Sequence, residues 1–336
     1  CIICKNANGL STSSCSSSGV AYASSMRGSA PMPATSWRMS RRNLTNVLRR
    51  IAEAARTGGV VTTSVLRTCG FSKTATNGEI DALDPGGFGA VTITKSMTIN
   101  GTKGQGFGSI LHSGTNGVNV NDSLSGSPNS IIVRLRDLSI NGAGTTTGLR
   151  GISMTSGKHL YVEDCQIFGS KSAPGRGIDI NLNGAPASGG AQRVMVRNTV
   201  ITDMSGEGIR AANTNAIGVN VYLQGVEVSN TSAGLTLSTN ARGIAVNSSF
   251  VNHTGSAVEV LAGSPGAELH NCVLANAVTG LALAARTSRI SGCTITGNTN
   301  GVNFVGGTLV TYGDNKTQGN TNEAIGGAIP GPTGKK

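Results

Sequence analysis

The chain has 336 residues, among them 49 glycines, with 3% aromatic and 13% charged residues. That glycine share is roughly twice the usual ~7% and follows no G-X-Y period, which excludes collagen; the low Glu and Lys content excludes a helical bundle or coiled coil. No apolar run approaches the ~20 residues of a membrane span, so none is expected.

The net charge of +11 is unevenly placed. Residues 1–75 hold ten Lys or Arg against the single acid Glu53, and the remainder is almost neutral. Residues 1–42 read as a flexible, basic, Ser/Gly-rich segment. Residues 43–71 read as an amphipathic helix and a link, with Leu44, Val47, Leu48 and Ile51 on one face, Asn43 as N-cap and Gly58-Gly59 as the stop. The helix is expected to cap a neighbouring core. Its arginines have no aromatic interleaving, so no nucleic-acid partner is expected. Cys1 and Cys4 form a CxxC without a second ligand pair, and the four histidines have no metal spacing, so no metal centre is expected.

From about residue 72 the texture changes to short alternating segments divided by Asn, Gly, Ser and Thr. One segment recurs at 135–140, 162–167, 196–201, 223–228, 246–251, 269–274 and 290–295. Its third position reads Asp137, Asp164, Asn198, Gly225, Ser248, Asn271 and Gly292, each a residue suited to a bend. A second segment opens with Gly117, Gly151, Gly177, Gly208, Gly234, Gly280 and Gly301, read as corners that need unusual dihedrals. Such segments bury their apolar faces only by stacking as successive coils. The fold class is therefore all-β, a solenoid of stacked parallel coils over residues 72–325 with a short N-terminal capping helix and a flexible tail at 326–336. Residues 184–190 read as a protruding insert.

Residues 77–99, 110–117 and 311–316 resemble the opening and closing coils of bacterial secreted proteins of the pectin-lyase-like superfamily. The resemblance implies the right-handed β-helix, a secreted or cell-envelope location and carbohydrate as partner, with activity unassigned. The Asn-Thr-Asp, Asp-Asp, Gly-His-Gly and Arg-Ile-Lys patterns of polygalacturonase-like members are absent; Arg289-Ile290-Ser291 lacks the lysine.

Alternation places the second position of each repeat outside. The outward column reads Arg136, Glu163, Arg197, Gln224, Asn247, His270 and Ser291. The column before it reads Arg134, Tyr161, Met195, Tyr222, Ala245, Glu268 and Arg289. Arg134, Arg136, Tyr161, Glu163, Arg197 and Tyr222 form the candidate ligand-binding set, either a cross-strand ion ladder or a shallow groove for an acidic polysaccharide. Asp137 and Asp164 match on adjacent coils and are the candidate catalytic pair, read also as turn-capping residues. They offer hard oxygen ligands suited to Ca²⁺, the one cofactor this pattern could hold. Asp179 and Arg210 are expected to form a surface pair. Cys165, Cys272 and Cys293 share an inward position, and spacing leaves a Cys272–Cys293 disulfide open. The favoured function is carbohydrate binding or a structural role without catalysis; the alternative is a polysaccharide lyase or glycoside hydrolase. Exposed coil edges make end-to-end self-association a third reading.

Overall fold

A computed structural model describes residues 2–6, 9–11, 71, 74–82, 85–101, 108–142, 146–284 and 286–332. The helix expected at 43–59 lies outside them. Among the described residues ten parallel strands stack as the first sheet, one per coil: Gly78–Ala82, Met97–Asn100, Ile132–Arg136, His159–Glu163, Gln192–Arg197, Val219–Gln224, Ala241–Val246, Gly266–His270, Thr287–Ser291 and Thr308–Thr311. We number the coils 1 to 10 in this order. Each chain turn then bends into a second sheet and on into a third. Coil 4, for example, continues through Gln166–Phe168 and Arg176–Leu182, and coil 5 through Val200–Thr202 and Ile209–Asn213. In coils 7 and 8 the strands Ser249–Val260 and Val273–Leu283 run through the second corner and serve both sheets. All these pairings are parallel, as the repeat implies.

The core is three stacked columns of aliphatic side chains. The second sheet contributes Ile110, Ile140, Ile167, Ile201, Val228, Phe250, Leu274 and Ile295, and the third contributes Val118, Ile152, Ile178, Ile209, Leu235, Val258, Leu281 and Val302, all fully buried. The interior is narrow, so β-branched residues and leucine fill it and Phe250 alone brings a ring among the largest fully buried side chains. This accounts for the aromatic poverty of the chain.

The first corner is built by positive-φ residues. Asp137, Asp164, Asn198, Gly225, Asn247, Asn271 and Gly292 all adopt φ between 45° and 63°. Asn, Asp and Gly are the residues that enter the left-handed region at least cost. Asn198 Nδ2 donates to Asp164 Oδ1 at 3.4 Å and Asn271 Nδ2 to Asn247 Oδ1 at 3.3 Å, so the corner side chains form a ladder. Coil 7 corrects the phase read from sequence: Gln224 pairs with Val246 and Val246 with His270, so the bend is Asn247 and not Ser248. The outward residues there are Val246 and Ile244, and Ala245 points into the core.

The glycine column also has a different cause from the one expected. Gly117, Gly151, Gly177, Gly208, Gly234, Gly280 and Gly301 do not take positive φ. They are glycine because the next coil lies against them: a Cβ on Gly177 would sit 2.5 Å from the Gly208 carbonyl oxygen and 2.5 Å from Ile201 Cγ2.

Within the segment read as flexible, Ile2–Asn6 forms a strand antiparallel to Gly78–Ala82 and pairs in turn with Gly9–Ser11. It covers the first-sheet edge of coil 1, which an open solenoid leaves free for pairing with another chain. No helix among the described residues is long and apolar enough to cross a membrane.

Candidate functional site

The outer face of the first sheet carries the residues singled out by the repeat. Tyr161 pairs with Arg134 on coil 3 and Met195 on coil 5, and Met195 with Tyr222 on coil 6. Glu163 pairs with Arg136 on one side and Arg197 on the other. The Arg136 Nε donates to Glu163 Oε2 at 2.9 Å, and Arg197 Nη1 lies 3.9 Å from Glu163 Oε1. One carboxylate is thus shared between two guanidinium groups. Arg134 lies 4.8 Å above the Tyr161 ring, a cation–π arrangement that holds the guanidinium beside the ladder. Arg193 enters the same face from coil 5, opposite His159. Burial pushes the His159 imidazole below its ordinary range, and the positive charges of Lys158, Arg193 and Arg134 push the same way. Positive charge therefore predominates around Tyr161 and His159 on this face. Further along it, Glu268 on coil 8 pairs with Arg242, and Arg289 approaches it at 3.8 Å.

Asp137 and Asp164 sit at the rim of this face in the first corner, with φ of 51° and 55°. Their backbone N–H groups donate to the Glu163 and Arg197 carbonyls on the next coil. That is the geometry of turn residues stacked in register. Among the described residues, no three His, Cys, Asp or Glu side chains converge as a metal site would.

Cys165, Cys272 and Cys293 are buried free thiols. Each sits just after a bend, in a column that also holds Thr199 and Ser248. Cys165 Sγ, Thr199 Oγ1, Ser248 Oγ, Cys272 Sγ and Cys293 Sγ all donate to the carbonyl two residues earlier. Their shared task is to tie the turn. Burial pushes the Cys165 thiol up to about 12, far from the reactive range.

A second polar region lies on the outer face of the third sheet, where sequence reasoning found only one pair. A cleft of about 400 Å³ is lined by Thr92, Asn116, Asn119, Asn121, Arg150, Ser153, Thr155, Asp179 and Asn181. Asp179 is not a surface residue; it is 3% exposed and lies under three arginines. Arg150 Nε and Arg176 Nη1 bond its Oδ2 at 2.6 and 3.1 Å, and Arg210 Nη1 lies 3.6 Å from its Oδ1. Arg176 is also held bidentately by Glu207 at 2.6 and 3.2 Å. Burial alone would lower the Arg176 pKa, but Glu207 and Asp179 together raise it. A carboxylate so surrounded is a fixed anchor that holds Arg150 in the cleft wall. The signal is present in the sequence: Arg150, Arg176 and Glu207 each precede a stacked Gly-Ile pair.

Residues 186–327 match the family model described as right handed beta helix region. No curated protein matches the chain. Among solved structures, full-length tailspike protein 2 from Escherichia coli O157:H7 bacteriophage CAB120 aligns at 11% identity and TM-score 0.48, over 69% of this chain and 33% of that one. The enzymatically active domain of bacteriophage CBA120 tailspike protein 2 aligns at 11% identity and TM-score 0.45, over 70% and 37%. Pectate lyase Pel9A aligns at 11% identity and TM-score 0.41, over 71% and 70%. The chain spans about a third of the length of the tailspike chains it matches. With its three parallel sheets, positive-φ first corner and stacked aliphatic columns, the chain folds as a right-handed parallel β-helix, and residues 186–327 carry the matching repeat region.

Proposed function

We propose that this β-helix binds an acidic polysaccharide outside the cell, along the outer face of its first sheet, and we assign it no reaction. The carrying observation is the Arg134 guanidinium resting on Tyr161 beside Arg136 and Arg197, which share one carboxylate between them. Guanidinium groups recognise carboxylates through paired N–H donors. Half-buried Tyr161 and Tyr222 offer rings to the apolar faces of sugars. The face runs across several stacked coils, which suits a polymer lying along it better than a small metabolite in a closed pocket.

The test is retention on an immobilised acidic polysaccharide at low salt. Arg134→Ala combined with Arg136→Ala and Arg197→Ala is expected to abolish retention while the thermal unfolding midpoint stays within a few degrees of the parent. Unchanged retention in that variant overturns the reading. The same incubations, read for new reducing ends and for the absorbance of unsaturated ends, address the alternative of a lyase or hydrolase.

A further inference from the structure

The arginines of the first-sheet face are not spread evenly. Coil 3 presents Arg134 and Arg136, coil 5 Arg193 and Arg197, coil 7 Arg242 and coil 9 Arg289. The first-sheet strands of coils 4, 6 and 8 contain no arginine or lysine. Register fixes the order, because each strand pairs residue for residue with the next: Glu163 with Arg197, Asn220 with Arg242, Glu268 with Arg289. Parallel strands stand about 4.8 Å apart, so the arginines recur along the axis roughly every 9.6 Å, while Lys158 at the start of coil 4 donates to the Ser188 hydroxyl at 2.7 Å.

The intervening coils carry a complementary pattern. Tyr161 on coil 4 and Tyr222 on coil 6 offer rings. Glu163 on coil 4 and Glu268 on coil 8 place carboxylates between the arginine positions. Each acid is held by arginines from the coils on both sides, Arg136 and Arg197 for Glu163, Arg242 and Arg289 for Glu268. The glutamates are thus fixed in place, so an anion arriving at their level faces a carboxylate where one at the arginine coils faces a guanidinium.

One sugar of an extended β-linked chain advances the polymer by close to one coil height. A chain lying along the solenoid axis would therefore set alternate sugars over the arginine coils and the others over coils 4, 6 and 8. We infer that the ligand of this face is a linear polysaccharide whose anionic groups recur on every second sugar. A polymer with a carboxylate on every sugar sets some of them against Glu163 and Glu268, a repulsive element that discriminates between partners. The inference rests on the polysaccharide-binding reading and narrows it to a repeat.

Calorimetric titration of the full chain at low salt with three oligosaccharides of equal length separates the outcomes. The probes are a hyaluronan oligomer, with glucuronate alternating with an N-acetylated sugar, an oligomannuronate, β-linked with a carboxylate on every sugar, and a neutral cello-oligosaccharide. The hyaluronan oligomer is expected to bind at least about tenfold tighter than the oligomannuronate despite its lower charge. Glu163→Gln combined with Glu268→Gln is expected to narrow that ratio, chiefly by strengthening oligomannuronate. Equal or tighter binding of oligomannuronate by the parent protein overturns the two-coil repeat and leaves the polysaccharide reading standing. Binding of neither acidic oligomer overturns both.

Discussion

Gly151 and Gly177 are glycine for the same reason, and it is not backbone freedom. A Cβ on Gly151 would lie 2.3 Å from Ile167 Cγ2 and 2.7 Å from the Gly177 carbonyl oxygen, and Gly177 repeats the situation one coil on. Neither neighbour can retreat, because the carbonyl belongs to the next coil and the isoleucine to the packed core. Gly177→Ala is therefore expected to destabilise by about 1–3 kcal/mol through overpacking. Gly126→Ala serves as the neutral control, with no atom within 4 Å of where its Cβ would sit and no positive φ. Thermal unfolding of the two variants beside the parent checks this; equal midpoints would remove the close-approach account. The recurrence of these glycines is legible in the sequence as a column, but its cause is not. Spacing reports that a residue repeats, whereas the carbonyl it must accommodate lies a whole coil further along the chain and becomes visible only when the coils are stacked. The slip at coil 7 has a similar origin. Val246 resembles the inward valines of other repeats, but Ala245 is the core residue there and Asn247 takes the positive φ.

At the scale of the element, a densely bonded feature is the corner from coil 2 into coil 3. Asp122 is 1% exposed, and its carboxylate accepts the backbone N–H groups of Asn129, Ser130 and Ile131 at 2.9, 2.8 and 3.1 Å together with the Ser156 hydroxyl. Asn129 and Gln192 extend this polar knot toward coil 5, where Asn213 Nδ2 donates to Gln192 Oε1 at 2.7 Å. Burial raises the Asp122 pKa, but the hydrogen bonds outweigh it and hold the carboxyl below its usual value. Its stabilising contribution is complete above the unfolded pKa of about 3.9 and is lost as pH falls through the lower folded value. Asp122→Asn keeps the shape but replaces one acceptor oxygen by a donor facing N–H groups. The expected cost is about 1–3 kcal/mol, with faster amide exchange at Asn129, Ser130 and Ile131. Unaltered exchange at those three amides would show that the loop is held by something else. Nothing in the sequence marks this aspartate, because its partners are backbone groups beyond the reach of any side-chain pattern. The arginine cluster over Asp179 is half visible. The match of Asp179 with Arg210 on adjacent coils follows from the repeat, but its burial depends on Arg150 and Arg176 closing over it from the side.

For the whole molecule, a solenoid has no single centre, and its stability is close to a sum of coil terms and neighbour terms. Acid should therefore act at addresses. His253 lies in the strand that serves two sheets of coil 7, 5% exposed, with Nδ1 bonded to the Thr231 hydroxyl at 2.9 Å and Nε2 without a hydrogen-bond partner. Burial pushes its pKa down to about 4. The unfolded chain takes up this proton near pH 6.5, whereas the folded chain resists until about pH 4. The stability tied to the neutral imidazole is thus complete above pH 6.5 and is lost progressively as pH falls from there through 4, about 3 kcal/mol in all. His112 on coil 2, fully buried with Nδ1 bonded to the Thr115 carbonyl at 3.1 Å, is pushed in the same direction by burial. The expected result is a falling unfolding midpoint between pH 6.5 and 4, with His253→Gln flattening the decline and leaving the part owed to His112. Hydrogen exchange at pH 4.5 adds the location. Because Val228, Phe250 and Leu274 stack as one column through coils 6 to 8, protection should fail first in the strands beside His253, Glu227–Thr231 and Val273–Leu283. Uniform loss along all coils, or a decline that His253→Gln leaves untouched, would mean that the stack unfolds as one cooperative body and that this histidine does not set its acid limit.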